Sequence, residues 1–248
     1  MCTVVLLHRP GHPWPLLLAA NRDERSDRPW LPPAPHWPEL PDVVGGLDRL
    51  AGGSWLAAHA RGLVAAVLNR AGSLGHAPGK RSRGELVLKA LRHRCAEEAA
   101  SALVRLDPAC YRPFNLVLAD AGSAFWLRHA GAGAITCEPL PEGLSMFTAG
   151  ERDDPECPRI RTHRPAFQAH LPEAPAAGDW RLWAERLGSH RGAEEDPMAA
   201  MCVHGPAGFG TVCAAVIAVP GGEGPPLWWQ ANGPPHRCRF ERLRWPSC

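Results

Sequence analysis

The chain has 248 residues, of which 45% are hydrophobic, and its 27 basic and 25 acidic residues give a formal net charge of +2. This length can bury a core without disulfide staples, and no long linker divides it, so one domain over residues 1–248 is predicted. The small charge, with acids and bases interleaved, argues against nucleic-acid binding.

The first apolar run lacks the features of a signal peptide. Arg9 interrupts it, no basic region precedes it, and no stretch of the chain approaches the ~20 consecutive apolar residues of a membrane span. A cytoplasmic location is therefore expected, where the nine cysteines stay reduced. No Cys-x-x-Cys, His-Glu-x-x-His, P-loop or complete dinucleotide motif is present, so neither a metal site nor a cofactor is predicted.

The amino-terminal part is predicted to form hairpins. Short apolar runs over residues 3–8 and 16–20 flank the turn segment RPGHPWP. The proline-dense segment 26–41, SDRPWLPPAPHWPELP, is predicted to be a fixed extended loop with no strand. After it, GGSWLAAHA and LVAAVLN form a second hairpin around Arg61-Gly62.

Helices are predicted between the later hairpins. Ser82 and Glu85 have the spacing of a capping box, and apolar residues at helical spacing extend one helix to Leu106. Further helices are predicted over residues 158–170 and 180–190. FNLVLAD with SAFWLRHA, and GTVCAAVIAV with PLWWQAN, form the remaining hairpins. This order predicts an α+β fold in which two stacked antiparallel sheets lie between helices.

Cys2 is a candidate amino-terminal nucleophile, a role that the other cysteines cannot have. If Met1 is removed, Cys2 carries a free α-amine, which titrates near ~8 and can act as the base for its own thiol. The first hairpin brings Asn21 to Glu24 back near residue 2. Asp23 is then placed to hold the amine, and Arg22 to lower the thiol pKa or bind a substrate carboxylate. The alternative, a strand cysteine beside a polar turn, stays open.

The segment ANRDE after an amino-terminal MCT strand resembles the NRDE family, also called the transport and Golgi organisation protein 2 family. AGGSWLAAHARGLVAAVLNR, TAGERDDPECPRI and FGTVCAAVIAV resemble later blocks of that family, in the same order. The resemblance implies an N-terminal-nucleophile hydrolase-like fold with four layers, αββα, and residue 2 at the nucleophile position. It also implies a role in haem or lipid handling.

A more distant resemblance is to the cholylglycine hydrolase group, the penicillin V acylases and bile salt hydrolases, which are amidases with an amino-terminal cysteine. It implies that Cys2 is the nucleophile, that Asp23 orients its amine and that Asn69 stabilises the oxyanion. A side-chain amide at such a position is worth ~3 kcal/mol to a tetrahedral intermediate. Taken alone, Asn69 is equally well explained as a turn-starting residue after a strand.

The chain departs from the pattern of that group at three positions. Ala20 stands where those amidases have an arginine, Ala149 where a second oxyanion asparagine is expected, and Gln230 where a late arginine is expected.

Two functions are therefore carried forward, each with a small-molecule ligand. The first is a cysteine amidohydrolase that cleaves a linear C–N bond of an acyl amide. The second is a non-catalytic carrier on the same fold, with haem or an acylated lipid as its ligand. Asn21, Trp30 and Trp37 are candidate substrate-binding residues. The alternative for the two indoles is that they pin the proline-rich loop to the core.

Overall fold

The computed structural model describes residues 2–75 and 77–245. Within them, thirteen strands and four helices follow one another along the chain. The strands are β1 (Thr3–His8), β2 (Leu16–Arg25), β3 (Trp30–Ala34), β4 (Val43–Asp48), β5 (Leu56–His59), β6 (Val64–Asn69), β7 (Phe114–Ala119), β8 (Ala124–His129), β9 (Thr136–Pro139), β10 (Gly143–Phe147), β11 (Phe209–Val219), β12 (Leu227–Ala231) and β13 (Glu241–Arg242). The helices are α1 (Gly84–Ala90), α2 (Ala96–Leu103), α3 (Pro158–Gln168) and α4 (Arg181–Leu187).

The strands form two antiparallel sheets that pack face to face. Sheet I has the order β10-β1-β2-β11-β12-β13, and sheet II has the order β3-β4-β5-β6-β7-β8-β9. One apolar core lies between the sheets, a second joins sheet II to α1 and α2, and a third joins sheet I to α3 and α4. The predicted four-layer αββα architecture is confirmed.

Strand β1 shows why this architecture follows from the sequence. All six of its residues are buried. Because successive side chains in a strand point to opposite faces, Val4 and Leu6 enter the core between the sheets, whereas Val5 and Leu7 pack under the helices. Cys2 packs against the inter-sheet core as well. The alternation therefore directs its thiol into the space between the two sheets.

Strand β2 is longer than predicted, because Asn21–Glu24 lie inside it rather than after its end. β11 pairs with β2 as far as Phe209 opposite Arg25, and a bulge between Thr211 and Cys213 maintains the pairing. Pairing with a strand so distant in the sequence extends β2 beyond its own apolar run.

The proline-rich segment was wrongly predicted to contain no strand. β3 lies within it, at the edge of sheet II, where a proline without an N–H costs no ladder hydrogen bond. Its neighbour β4 was also missed. A Cβ built at Gly46 in β4 would lie 2.2 Å from the Trp55 indole, so glycine at this position lets Trp55 lie against the strand.

The single helix predicted from Ser82 to Leu106 is two helices, α1 and α2. The Asp120 carboxylate accepts from the Ala96 N–H at 2.7 Å and thereby caps α2. Glu85 makes no capping box. It accepts from the Tyr111 hydroxyl and pairs with Arg81 at 2.7 Å. The hairpins β5–β6, β7–β8 and β11–β12 are confirmed. Among the described residues, no helix combines the length and apolar character that a membrane crossing needs.

Candidate active site

A cavity of about 750 Å³ lies where β2 and β6 end and the chain enters β1. Sheet I contributes Cys2 and Arg22, and sheet II contributes Asn69 at the last position of β6. Three of the four predicted catalytic residues thus line one cavity, although they lie up to 67 positions apart. Antiparallel pairing within each sheet and the stacking of the sheets bring them together.

Cys2 is partly buried at the inner wall of this cavity. Its Sγ lies 3.7 Å from the Asp23 backbone carbonyl, to which the thiol donates. Burial raises the pKa of the Cys2 thiol, and the Asp23 charge raises it further, whereas the nearby Arg22 lowers it by less. The predicted direction of the Arg22 effect on the pKa of the Cys2 thiol is present, but burial and the Asp23 charge outweigh it. The surroundings of Cys2 therefore favour the protonated thiol over the thiolate.

Asp23 lies on the opposite face of β2 from Arg22, with its side chain fully buried. One carboxylate oxygen accepts from Arg159 Nη1 at 2.8 Å, and the other accepts from the Thr211 hydroxyl at 2.7 Å. Arg159 Nη1 also donates to the Thr3 hydroxyl at 2.7 Å. This network fixes the residue after Cys2 to Asp23 and to α3.

Arg159 is a site residue that the sequence analysis missed. It stands at the second position of α3, and its side chain is fully buried. From the sequence alone, Arg159 is expected to be an ordinary residue in the first turn of a helix. Its partner Asp23 lies 136 positions earlier, so local sequence does not reveal the pair. The one sequence feature that pointed to this region was the resemblance of the segment TAGERDDPECPRI, which contains Arg159, to a block of the family.

Arg22 is buried between two indoles. Its guanidinium carbon lies 3.9 Å from the Trp55 ring centroid and 5.9 Å from that of Trp30. Arg22 Nη2 is 3.7 Å from an Asp48 carboxylate oxygen, and Nη1 is buried with no hydrogen-bond partner among residues 2–75 and 77–245. Arg22 therefore holds a positive charge and an unused donor in the cavity wall. Trp30 supports it through an edge-on contact with Trp55 at 5.6 Å.

None of the three predicted substrate-binding residues is among the described residues that line the cavity, and Trp30 lies behind Arg22 and Trp55. The Asn21 side-chain amide faces the helices of sheet I and donates to the carbonyls of Leu187 and Met201 at 2.9 and 2.8 Å. Trp37 packs in the core between sheet II and its helices, and its Nε1 donates to the Gly52 carbonyl at 2.9 Å. The structure gives the Asn21 and Trp37 side chains a packing role.

The cavity wall is strongly cationic. Among the described lining residues, seven are basic and two are acidic: Arg22, Arg25, Arg28, Lys80, Arg81, Arg83 and Arg112 against Glu24 and Asp48. Burial lowers the pKa of Arg83 to about 10, and the like charge of Arg112 lowers it as well. Arg83 Nη1 donates to neutral acceptors, the Ser73 hydroxyl at 2.8 Å and the Pro113 carbonyl at 2.9 Å. Such a wall favours a ligand that carries negative charge.

The structure locates the three residues that depart from the amidase pattern, Ala20, Ala149 and Gln230. Ala149 is buried, and its carbonyl accepts from the Ala71 N–H at 3.0 Å. Ala20 and Gln230 line a small space beside Arg22. Since Ala20 and Arg22 lie two positions apart on one face of β2, Arg22 supplies a guanidinium on the face where Ala20 has none.

Two solved hydrolase structures share this fold. The chain is similar to a Caenorhabditis elegans N-acylethanolamine-hydrolyzing acid amidase ortholog, with a TM-score of 0.57 and 14% identity over 89% of this chain and 93% of that one. It is also similar to a conjugated bile acid hydrolase from Clostridium perfringens, with a TM-score of 0.51 and 10% identity over 99% of this chain and 97% of that one. At these identities the likeness establishes the N-terminal-nucleophile hydrolase-like fold.

Residues 1–222 match the sequence profile of the family described as Transport and Golgi organisation 2, and the chain belongs to that family. Relatives include the transport and Golgi organization 2 homologs of Mus musculus, 34% identical over 144 residues, and of Homo sapiens, 35% identical over 144 residues. Each alignment covers 54% of this chain and 49% of the relative. The match therefore spans about half the length of these relatives.

Proposed function

We propose that this protein is an amidohydrolase that uses Cys2 as its nucleophile once Met1 has been removed, and that its substrate is an acyl amide bearing a negative charge. The observation that carries this proposal is the convergence of Cys2, Arg22 and Asn69 on one cationic cavity. Met1 itself lies outside the described residues. The structural neighbours support the proposal, since both are named as hydrolases of this fold.

In the proposed reaction, the Cys2 α-amine takes the proton from Sγ as the sulfur attacks the carbonyl carbon of the amide. A C–S bond forms, and the carbonyl oxygen becomes an oxyanion to which the Asn69 side-chain amide donates. Collapse breaks the C–N bond, and the leaving amine takes the proton from the α-ammonium. Water then hydrolyses the thioester and frees the acid. The raised pKa of Cys2 is consistent with a thiol that is deprotonated only during the attack.

Asp23 is proposed to act as a positioning residue. Its charge is close enough to Cys2 to raise the pKa of that thiol. Arg159 and Thr211 hold the two carboxylate oxygens in place. A fixed, buried negative charge beside residue 2 would favour and align the α-ammonium that forms during the attack.

The negative charge of the substrate is proposed to lie against Arg83 and Arg112. The charge of Arg112 lowers the pKa of Arg83, and an anion between the two guanidinium groups would offset this repulsion. Planar guanidinium groups also bind carboxylates through paired hydrogen bonds. The proposed preferred substrate is thus an N-acyl amino acid rather than a neutral N-acyl amide.

The experiment compares the hydrolysis of two amides with one acyl chain, an N-acylglycine and the matching N-acylethanolamine. Turnover of the acylglycine at higher kcat/KM, lost in Cys2→Ala and kept in Cys137→Ala, supports the proposal. Cys137 lies on the edge strand β9 of sheet II and is a matched cysteine control. Hydrolysis that survives in Cys2→Ala, or no hydrolysis by protein that has lost Met1, would contradict it.

The carrier function is the second candidate, and the same cavity supports it. A volume of about 750 Å³ with basic walls would also accept the carboxylates of haem or an acidic acylated lipid. A Soret titration with haem separates the two functions. Saturable binding at one site without amide turnover favours the carrier.

A further inference from the structure

Three histidines and a cysteine converge on loops of sheet I, and none of the four is among the described residues that line the cavity. His190 follows α4, Cys202 and His204 precede β11, and His236 follows β12. The ring centroids of His190, His204 and His236 lie 4.6 to 5.0 Å from one another. One ligand atom from each of His190, Cys202 and His236 lies within 4.8 Å of the other two.

The hydrogen bonds of this cluster leave one nitrogen of His190 available as a ligand and already join Cys202 to His236. His190 Nδ1 is 3.0 Å from the Cys202 carbonyl oxygen, which can only accept. Nδ1 therefore carries the proton, and the lone pair of Nε2 is available. Histidines that bind metals commonly donate their other ring N–H to a carbonyl in this way. Cys202 Sγ and His236 Nδ1 are already 3.2 Å apart.

We propose that His190, Cys202 and His236 bind a divalent transition-metal ion of the zinc type, with His204 as the fourth ligand. Imidazole nitrogen and thiolate sulfur are the donors that zinc prefers. Bonds of ~2.0 to 2.3 Å place tetrahedral ligand atoms about 3.5 Å apart. The distance of 3.2 Å between Cys202 Sγ and His236 Nδ1 is close to that spacing. The exposed side chain of His190 can rotate to bring its nitrogen, which lies within 4.8 Å of the other two ligand atoms, to that spacing. On binding, the Cys202 thiol releases its proton to solvent and a metal–sulfur bond forms.

Such an ion would join three loops that lie far apart in the sequence. The spacing of residues 190, 202 and 236 matches no sequence motif, which is why no metal site was predicted. The residue after Cys202 contacts β11, the strand that pairs with the Asp23 strand β2. Val203 N–H donates to the Thr211 hydroxyl at 2.9 Å, and that hydroxyl donates to Asp23. The proposed ion is therefore a structural clamp behind the Asp23 network, separate from Cys2.

The test is a titration of the full chain, treated first with a chelator, with Co²⁺ as the spectroscopic probe for zinc. We expect one Co²⁺ per chain, visible ligand-field bands and a near-ultraviolet band from thiolate coordination, all displaced by Zn²⁺. His190→Gln should weaken binding by more than ~10-fold, and since His190 is exposed this variant should keep the fold. Cys202→Ser should lose the thiolate band.

The matched control is His93→Gln, on the loop between α1 and α2 in the opposite outer layer. It should bind Co²⁺ as the unchanged chain does. Equal affinity in the His190→Gln chain, or a thiolate band that persists in Cys202→Ser, would overturn the proposal. A melting temperature that rises with Zn²⁺ in the unchanged chain but not in His190→Gln would support the clamp.

Discussion

Arg22 and Asp23 are neighbours on one strand, yet they face two different environments. Arg22 points into the cavity, where Trp55 and Trp30 flank its guanidinium and one nitrogen keeps an unused donor. Asp23 points into the helix-covered face, where Arg159 and Thr211 hold both oxygens. Because side chains alternate between the two faces of β2, the residue suited to bind a ligand and the residue that stabilises the fold lie on opposite faces. Changes on the buried face should act mainly on stability, and changes on the cavity face mainly on reactivity and ligand affinity.

Arg159→Met should give the largest loss of stability. It leaves the Asp23 carboxylate buried without its cation, and breaking one partner of such a pair costs about 3–5 kcal/mol of unfolding free energy. Asp23→Asn combined with Arg159→Met should recover much of that loss. Urea denaturation of the single and double variants measures both effects. Arg161→Met, at an exposed position of the same helix, is the control, and a loss in Arg159→Met no larger than in that control would contradict a buried pair.

His163 should make the buried face sensitive to acid. Burial lowers the pKa of His163 to about 4, and its Nε2 lies 3.1 Å from the carbonyls of Arg191 and Ala199. An unfolded histidine titrates near ~6.5, so the stabilising contribution is complete above that pH and falls by about 3 kcal/mol as the pH drops toward 4. In His163→Gln this part of the pH dependence should vanish. Denaturation curves between pH 4 and 7 measure it, with His93→Gln expected to follow the unchanged chain.

On the cavity face, Arg22→Met should cost only about 1–2 kcal/mol of stability, because it removes a cation–π contact and a long ion pair. Its clearer effect should be on Cys2. Arg22 lowers the pKa of that thiol, so its removal should move the midpoint of alkylation rate against pH to a higher value. Peptide mapping after brief iodoacetamide exposure measures this midpoint. An unchanged midpoint would mean that Arg22 does not act on the thiol.

Arg83→Gln should have the smallest effect of these variants, and its effect should fall on the charged substrate only. We expect KM for the acylglycine to rise about tenfold, or about 1.4 kcal/mol, while KM for the acylethanolamine stays unchanged. Arg83→Lys keeps the charge and should retain most of the affinity. Equal losses for both substrates in Arg83→Gln would instead point to the contacts of Arg83 with Ser73 and Pro113.

The sequence predicts the parts of this molecule that depend on local pattern. Hairpins such as β5–β6 follow from apolar runs around a glycine turn, and Cys2, Arg22 and Asn69 follow from positions at strand ends. What it misses depends on partners far along the chain. The extension of β2 needs β11, the buried pair of Asp23 needs Arg159, and the break between α1 and α2 needs the Asp120 carboxylate.

The pKa of Cys2 shows the same limit. The adjacent Arg22 predicts a lowered value, but burial between the sheets outweighs that charge. Burial is a property of the folded chain, which the nearest residues in the sequence do not reveal. The chemistry of the thiol therefore turns on the base beside it rather than on a thiolate that is already present.

The central claim, that Cys2 becomes an amino-terminal nucleophile, is tested most directly by the mass of the amino-terminal peptide after an acid-quenched reaction with an excess of an activated acyl ester. The account predicts a peptide that begins at Cys2, without Met1, and carries one acyl group in the unchanged chain and in Cys137→Ala. Cys2→Ala should carry none. A peptide that retains Met1, or an acyl group distributed over several cysteines, would contradict the account.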